Sequence, residues 1–392
     1  MGNSVLEKGL PKAQKFITDL SRYNPYFEEM LKKHKVDLQN FSSLEFNKIP
    51  FMDKSTIREN EVSIVTKTKE PVFKEFTTGT TGKPFVCYKT NKERIISSLA
   101  IWEERKKRDP EVNIDNFITF FGHDNRIGNP FDFEEENMIN CLHNLHSLSP
   151  RWICTTITAI KQYAKLIENG KIKFDFNTLK FIELMGEYVE ESDRNYVERM
   201  FKAKTIVHYG LKETWLLAYE CNHRKLHVKK ELFYIETIES PLFKSEYGEL
   251  VVTSYYNFAM PLLRYKTGDF AFIDYKPCAC GNDAPIIELI GGRVAGVVKG
   301  PKKFLGDMFF KRIMLEIYEK HGDVIDSFQV VQKEINDFEI YIIKKSMYNK
   351  EIEELLANLV VKRLGREVKV LFNYVDKIPK KNGKSQLFKC EC

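Results

Sequence analysis

The sequence predicts an α/β protein in two unequal parts. These are a large N-terminal domain, residues 1–291, with mixed and parallel sheets flanked by helices, and a small α+β C-terminal domain, residues 292–392. Three observations predict it. At 392 residues the chain exceeds the size at which a single core stops growing. Between residues 116 and 209 strand-like and helical segments alternate, the pattern of a covered, largely parallel sheet. After Gly291-Gly292-Arg293 a separate β/α pattern fills about a hundred residues, enough for a small domain.

In chain order, residues 5–34 carry Leu6, Leu10, Phe16, Ile17, Leu20 and Leu31 at helical spacing, and Asn24-Pro25 divides them into two helices. Ile49 to Lys54 reads as a turn into a helix capped by Asp53 or Ser55. Residues 90–108 form a basic amphipathic helix with Ile95, Ile96, Leu99 and Trp102 on its apolar side and its Lys and Arg residues solvated. Phe117–Phe121, Leu179–Met185 and Thr205–Tyr209 read as buried strands, with helices at 156–169 and 192–201 between them. Glu249–Ser254 opens a β-rich part, and Leu262 to Asp269 reads as a buried strand ending in Thr-Gly-Asp. Beyond the boundary come a helix at 303–320 with Phe309, Ile313, Ile317 and Tyr318 inward, strands at 327–333 and 338–344, a helix at 350–363 and a strand at 368–373.

Composition narrows the function classes. Basic residues number 61 and acidic ones 55, and the +6 excess is scattered rather than blocked, so nucleic-acid binding is not indicated. No apolar run is long enough to span a bilayer. The N-terminus lacks a signal-peptide core, and Leu6 stands where a myristoylation signal has Ser or Thr. A cytoplasmic location is expected, in which the eight cysteines are reduced thiols or metal ligands.

Several stretches carry chemistry. Thr77-Thr78-Gly79-Thr80-Thr81-Gly82-Lys83-Pro84 is too polar for a core. Its N–H groups, hydroxyls and Lys83 make either a phosphate cradle or a solvated hairpin turn. It is not a Walker A loop, because Thr77 and Pro84 stand where that pattern needs Gly and Ser or Thr. Tyr209-Gly210-Leu211-Lys212-Glu213 lies at a strand end, where Glu213 could hold Mg²⁺ or sit on the surface. Gly186-Glu187 closes another strand. Asp269 offers a carboxylate to ribose hydroxyls, or simply ends a turn. Cys221, His227, Cys278 and Cys280 supply the donors of a structural Cys₃His zinc site, or are ordinary thiols near a hairpin. Pro379 to Lys384 reads by composition as a flexible basic tail.

Taken in order, Thr77–Pro84, Tyr209–Glu213, Tyr265–Asp269, Gly292–Lys299 and Pro379–Lys384 resemble the motifs of the adenylate-forming superfamily, most of all its phenylacetate–CoA ligase branch with its capsule-biosynthesis (CapK-like) relatives. The resemblance covers nearly the whole chain. It implies a small mobile C-terminal domain and a two-step reaction. A carboxylic acid is adenylated with Mg·ATP, and its acyl group then passes to a thiol, of CoA or of a phosphopantetheinylated carrier protein. Amide formation, or a nucleotide-binding relative without catalysis, are the alternatives. On this resemblance Thr77, Thr78, Gly79, Thr80, Thr81, Gly82 and Lys83 would close over the phosphates. Gly186, Glu187, Tyr209 and Gly210 would border the adenine and acyl pocket, Glu213 would hold Mg²⁺, and Asp269 and Arg293 would contact the nucleotide. Lys384 would bridge the substrate carboxylate and the α-phosphate. The branch favours aromatic and aryl-acetic acids, which Phe121, Trp215 and Tyr209 could line. Two positions depart from the family: Lys212 replaces Thr or Ser, to meet the α-phosphate or turn to solvent, and Gly296 replaces an acidic hinge residue.

Overall fold

The structure is a computed structural model. It describes residues 2–76, 85–121, 126–131, 134–170, 177–239, 247–293, 298–301, 304–305, 308–322, 324–378, 380–381, 384–385 and 387–392. It opens with α1 (Gly2–Tyr23) and α2 (Pro25–Lys33), broken where the sequence indicates. Asn24 is the cause of the break: its side chain accepts from Tyr26 N, Pro25 starts the next helix, and its buried amide donates to Ile64 O and Thr66 Oγ1. Short helices α3 (Ser43–Asn47), α4 (Lys54–Glu59) and α5 (Glu61–Ile64) follow. Asp53 is the cap of α4, accepting from Thr56 N at 2.8 Å, and Ser55 only supports that carboxylate.

Strands β1 (Val72–Phe76) and β2 (Val86–Thr90) pair antiparallel on either side of the threonine-rich stretch. From β2 the chain enters α6 (Asn91–Arg108) through a capping box of Thr90 and Glu93. The inward face of α6 keeps Ile96 and Trp102, which pack on the core, but not the other two apolar residues expected there. Ile95 and Leu99 are 50% and 64% exposed, while Glu93, Ser97, Ala100, Glu104 and Arg105 are buried. Hydropathy misassigns this face because its polar groups are all partnered. Glu93 accepts from Phe258 N and Ala259 N, Ser97 meets the Tyr256 hydroxyl, Glu104 pairs with Lys229, and Arg105 with Glu183.

Next come β3 (Phe117–Thr119), α7 (Glu135–Leu148), β4 (Trp152–Thr155), α8 (Ile157–Glu168), β5 (Phe181–Met185), α9 (Glu191–Phe201) and β6 (Lys204–Tyr209). The four strands β3 to β6 are parallel, as the alternation requires, although β3 ends at Thr119 rather than Phe121. The sheet then turns antiparallel through β7 (Ala218–Glu220), β8 (Leu226–Val228), β9 (Phe233–Glu239), β10 (Gly248–Ser254), β11 (Tyr265–Asp274) and β12 (Ile286–Arg293). Among the described residues this is one ten-stranded sheet, ordered β3-β4-β5-β6-β7-β8-β12-β11-β10-β9. Thr267-Gly268-Asp269 lies inside β11 rather than ending a strand. Gly268 takes φ +79° and the register slips between Asp269 and Ala271, so the chain bulges there and goes on pairing. One core fills the parallel half, with Ile153, Ile160, Tyr163 and Ile182. Another packs α1 and α2, through Phe16, Leu20 and Phe27, against the antiparallel half.

The smaller C-terminal domain contains β13 (Val298–Lys299), β14 (Phe304–Leu305), α10 (Met308–His321), β15 (Ile325–Glu334), β16 (Asp337–Lys344), α11 (Lys350–Leu364), β17 (Lys369–Tyr374), β18 (Lys380–Lys381), β19 (Lys384–Ser385) and β20 (Phe388–Cys390). Its sheet runs β17-β16-β15-β20 over a core of its own, which includes Phe310, Ile313, Ile340 and Leu356. Tyr318, expected inward, is 56% exposed. Phe309, Ile313 and Ile317 share the buried side at four-residue spacing, and Phe310 fills the space beside them. The basic tail takes up a hairpin of β18 and β19 behind the buried Ile378. No described helix is long and apolar enough to cross a membrane.

The parallel half is held by one fully buried carboxylate. Glu183 on β5 accepts from Arg105 Nε at 2.7 Å, Trp152 Nε1 at 2.9 Å and faces His208 Nδ1 at 2.8 Å. Burial would raise its pKa, but Arg105 and His208 outweigh burial and hold it well below the usual carboxylate range. Arg105→Met keeps the stem of the side chain and removes the charge. It should cost about 3–5 kcal/mol, read as a lowered urea midpoint; a loss within experimental error would mean Glu183 is satisfied without its guanidinium.

Candidate nucleotide site and a cysteine–histidine cluster

The parallel strands β5 and β6 bring Gly186, Glu187, Tyr209 and Gly210 to their carboxyl ends, where open α/β sheets bind ligands. After β5, Gly186 takes φ +79° and Glu187 turns back, its Oε2 accepting from Thr158 N in the first turn of α8 at 2.9 Å. After β6 the chain folds sharply on itself: Leu217 N bonds Tyr209 O at 2.9 Å and Trp215 takes φ +59°. Gly210 is required here by space, because a Cβ on it would lie 1.9 Å from Trp215 O.

Three of the nucleotide candidates converge. The Tyr209 hydroxyl donates to Asp269 Oδ2 at 2.9 Å, and Asp269 stands opposite Arg293 in the β11–β12 register. Glu213 is no surface residue: its side chain is 1% exposed. The Tyr265 hydroxyl donates to its Oε1 at 2.5 Å, and Lys54 Nζ lies 3.3 Å from the same oxygen and 5.5 Å from the centre of the Phe85 ring. One edge of the carboxylate is therefore fixed by the protein. Lys212 is half-exposed, with Nζ 3.7 Å from Glu75 Oε2 on β1, so it turns toward the hairpin. Trp215 donates its indole N–H to the same Glu75 oxygen at 2.8 Å. Phe121 packs on Phe131 at 5.7 Å between ring centres. The three aromatics expected to share an acyl pocket thus have separate partners. Thr77 to Lys83 and Gly296 lie outside the described residues, as do the side chains of Arg293 and Lys384. A cavity of about 460 Å³ opens at the opposite, amino-terminal ends of β4 to β6, lined by Arg151, Lys180 and Lys204 among others, and contains none of these residues.

Sequence reasoning missed Lys54, Glu75 and Lys89. Only Lys89 left a trace, as the one charge after the apolar run Phe85–Tyr88. It is fully buried and donates to Glu213 O.

The second constellation is compact. Cys221, His227, Cys278 and Cys280 bring one donor atom each to within 4.8 Å of one another. Cys221 Sγ is 3.9 Å from Cys278 Sγ, and Cys280 Sγ is 3.3 Å from His227 Nε2. A tetrahedron with Zn–S bonds of about 2.3 Å has edges of about 3.8 Å. His227 Nδ1 lies 3.1 Å from Ala284 O, which leaves Nε2 to face the thiols, and His223 N donates to Cys221 Sγ at 3.3 Å. Burial pushes the Cys221 thiol up to about 11, whereas the Cys280 backbone N–H draws that of Cys278 down. The donor set fits a structural zinc ion.

A family model described as the CapK C-terminal domain matches residues 306–391. Protein CapK of Staphylococcus aureus is 23% identical over 416 residues, spanning 98% of this chain and 89% of that protein. The phenylacetate-coenzyme A ligase of Thermus thermophilus is 24% identical over 370 residues, spanning 86% of this chain and 81% of that protein. Among solved structures, 2-hydroxyisobutyryl-CoA ligase in its postadenylation state with 2-HIB-AMP superposes with a TM-score of 0.75 at 13% identity, over 98% of this chain and 89% of that one. The same ligase in its thioester-forming state gives 0.64 at 14% identity, over 100% and 90%. The C-terminal residues are thus similar to the CapK C-terminal domain, most of the chain is similar to protein CapK and to a phenylacetate-coenzyme A ligase, and its fold is that of a CoA ligase.

Proposed function

We propose that this protein is an ATP-dependent, AMP-forming acid–thiol ligase. The observation that carries the reading is the convergence at the carboxyl end of the sheet: Tyr209 hydrogen-bonds Asp269, Asp269 faces Arg293, and Glu213 is buried at the end of the same turn. In the first half-reaction a carboxylate oxygen attacks the α-phosphorus of ATP and pyrophosphate leaves. In the second, a thiol sulfur attacks the acyl carbon, its proton is lost and AMP leaves.

Each residue has a role in this reading. Asp269 accepts from the ribose hydroxyls, with Tyr209 orienting its carboxylate. Gly186, Glu187 and Gly210 border the adenine and the acyl group, and Arg293 meets the nucleotide. Thr77 to Lys83 enclose the β- and γ-phosphates. Glu213 keeps one oxygen on Tyr265 and Lys54, so its other oxygen is the one to present to a magnesium ion, which would neutralise phosphate charge. Lys212, drawn to Glu75, acts at most as a flanking cation. Residues 292–392 form the mobile domain, and Lys384 bridges the carboxylate and the α-phosphate. An aromatic or aryl-acetic acid and CoA are the substrates we assign; carrier-protein or amine acceptors are the competing outcomes. The cysteine–histidine cluster holds a structural zinc ion that ties the β7–β8 turn to the segment between β11 and β12.

Two experiments test this. Lys384→Ala should lower carboxylate-dependent ATP–pyrophosphate exchange by roughly 10²–10³ and spare thioester formation from a supplied acyl-adenylate; equal loss in both halves would refute the bridging role. Wild-type exchange with no member of a broad carboxylic-acid panel would refute the ligase itself. Separately, metal analysis should find about one zinc per chain, absent after Cys278→Ser with Cys280→Ser together with a lower melting temperature. A metal-free wild-type protein of unchanged stability would overturn the zinc assignment.

A further inference from the structure

Lys89 is fully buried on β2, where an apolar side chain would pack without removing an ammonium from water. Burial pushes its pKa down, and the surrounding Glu75, Glu93 and Glu213 hold it up. Its ammonium donates to the main-chain oxygen of Glu213, 124 residues away in sequence. On the other arm of the hairpin, Glu75 accepts the Trp215 indole N–H at 2.8 Å and draws Lys212 to 3.7 Å and Arg94 to 3.7 Å. The two arms are paired directly, Glu75 opposite Cys87 and Phe73 opposite Lys89. Loop 212–215 is thus held on both sides by the two strands that lead into and out of residues 77–84.

We propose that Lys89 and Glu75 are positioning residues that hold loop 212–215, and with it the metal-binding carboxylate of Glu213, in place against strands β1 and β2. This rests on the function proposed above. Neither residue need touch the nucleotide. Lys89 acts through the backbone of Glu213, and Glu75 acts through Trp215. A carboxylate that would hold a magnesium ion beside a polyphosphate must be kept in one place, and an error of about 1 Å in such a site costs on the order of 10²-fold. The Lys212 departure also gains a reason: its ammonium adds a contact to the Glu75 arm.

The test is calorimetric titration of ATP into the full chain, with Mg²⁺ and with EDTA, alongside exchange kinetics. Wild-type protein should bind ATP more tightly with Mg²⁺. Lys89→Met should shrink that metal-dependent gain about tenfold and raise KM for Mg·ATP similarly, leaving KM for the carboxylic acid unchanged. Trp215→Phe, which keeps the ring and deletes the N–H to Glu75, should shift the same two quantities in the same direction and serves if Lys89→Met does not fold. A lower melting temperature with an unchanged Mg²⁺ gain and unchanged KM values would mean that the residues only stabilise the fold, and would overturn the proposal. Wild-type binding that ignores Mg²⁺ would instead overturn the assignment of Glu213 to the metal.

Discussion

The buried carboxylate of Glu183 is the point on which the parallel half of the sheet and the loop 212–215 hang. It collects Arg105 from α6, Trp152 from β4 and His208 from β6. Through the far nitrogen of His208 the chain of contacts reaches Trp215 O at 2.9 Å, inside the loop that carries Glu213. An ionised group with no exposure is tolerated only when its lone pairs are all engaged, and here the engagement runs across three secondary-structure elements at once. The sheet and the helix beside it therefore cannot shift independently of the loop above them.

That arrangement explains what the amino-acid sequence revealed and what it hid. The alternation of apolar strands and amphipathic helices was legible for β3, α8, β5, α9 and β6, because period reports which backbone is covered, whereas α7 and β4 were not read. The separate C-terminal unit was legible from its own repeat of strand and helix, and the break at Asn24-Pro25 from elementary cap chemistry. Helix α6 was read only partly right: Ile96 and Trp102 do pack inward, but much of its buried side is polar and draws partners from distant parts of the chain, Glu183, Lys229, Tyr256 and the backbone at 258–259. Hydropathy has no access to long-range pairing. For the same reason β11 looked like a strand that stops at Asp269, when the left-handed Gly268 merely kinks it.

The candidate site divides along similar lines. Residues named by short motifs, Tyr209, Asp269 and Glu213, meet at one end of the sheet, and the cysteine and histidine donors assemble from segments more than 50 residues apart in sequence. Of their supports, Tyr265 opens a motif already singled out, whereas Lys54, Glu75 and Lys89 carry no local pattern of their own. A lysine in a strand reads as an edge or an accident until the acceptor for its ammonium is known.

The seam between β8 and β12 has an unusual economy. Among the described residues, two Cα pairs, Ile286 with His227 and Ile287 with Leu226, and the bond from Val228 N to Pro285 O make the backbone join between β8 and β12. The cysteine–histidine cluster straddles that join. The halves are tied again through side chains, Tyr209 to Asp269, Tyr265 to Glu213 and Glu93 to the backbone at 258–259, so a narrow backbone seam is backed by a broad side-chain one.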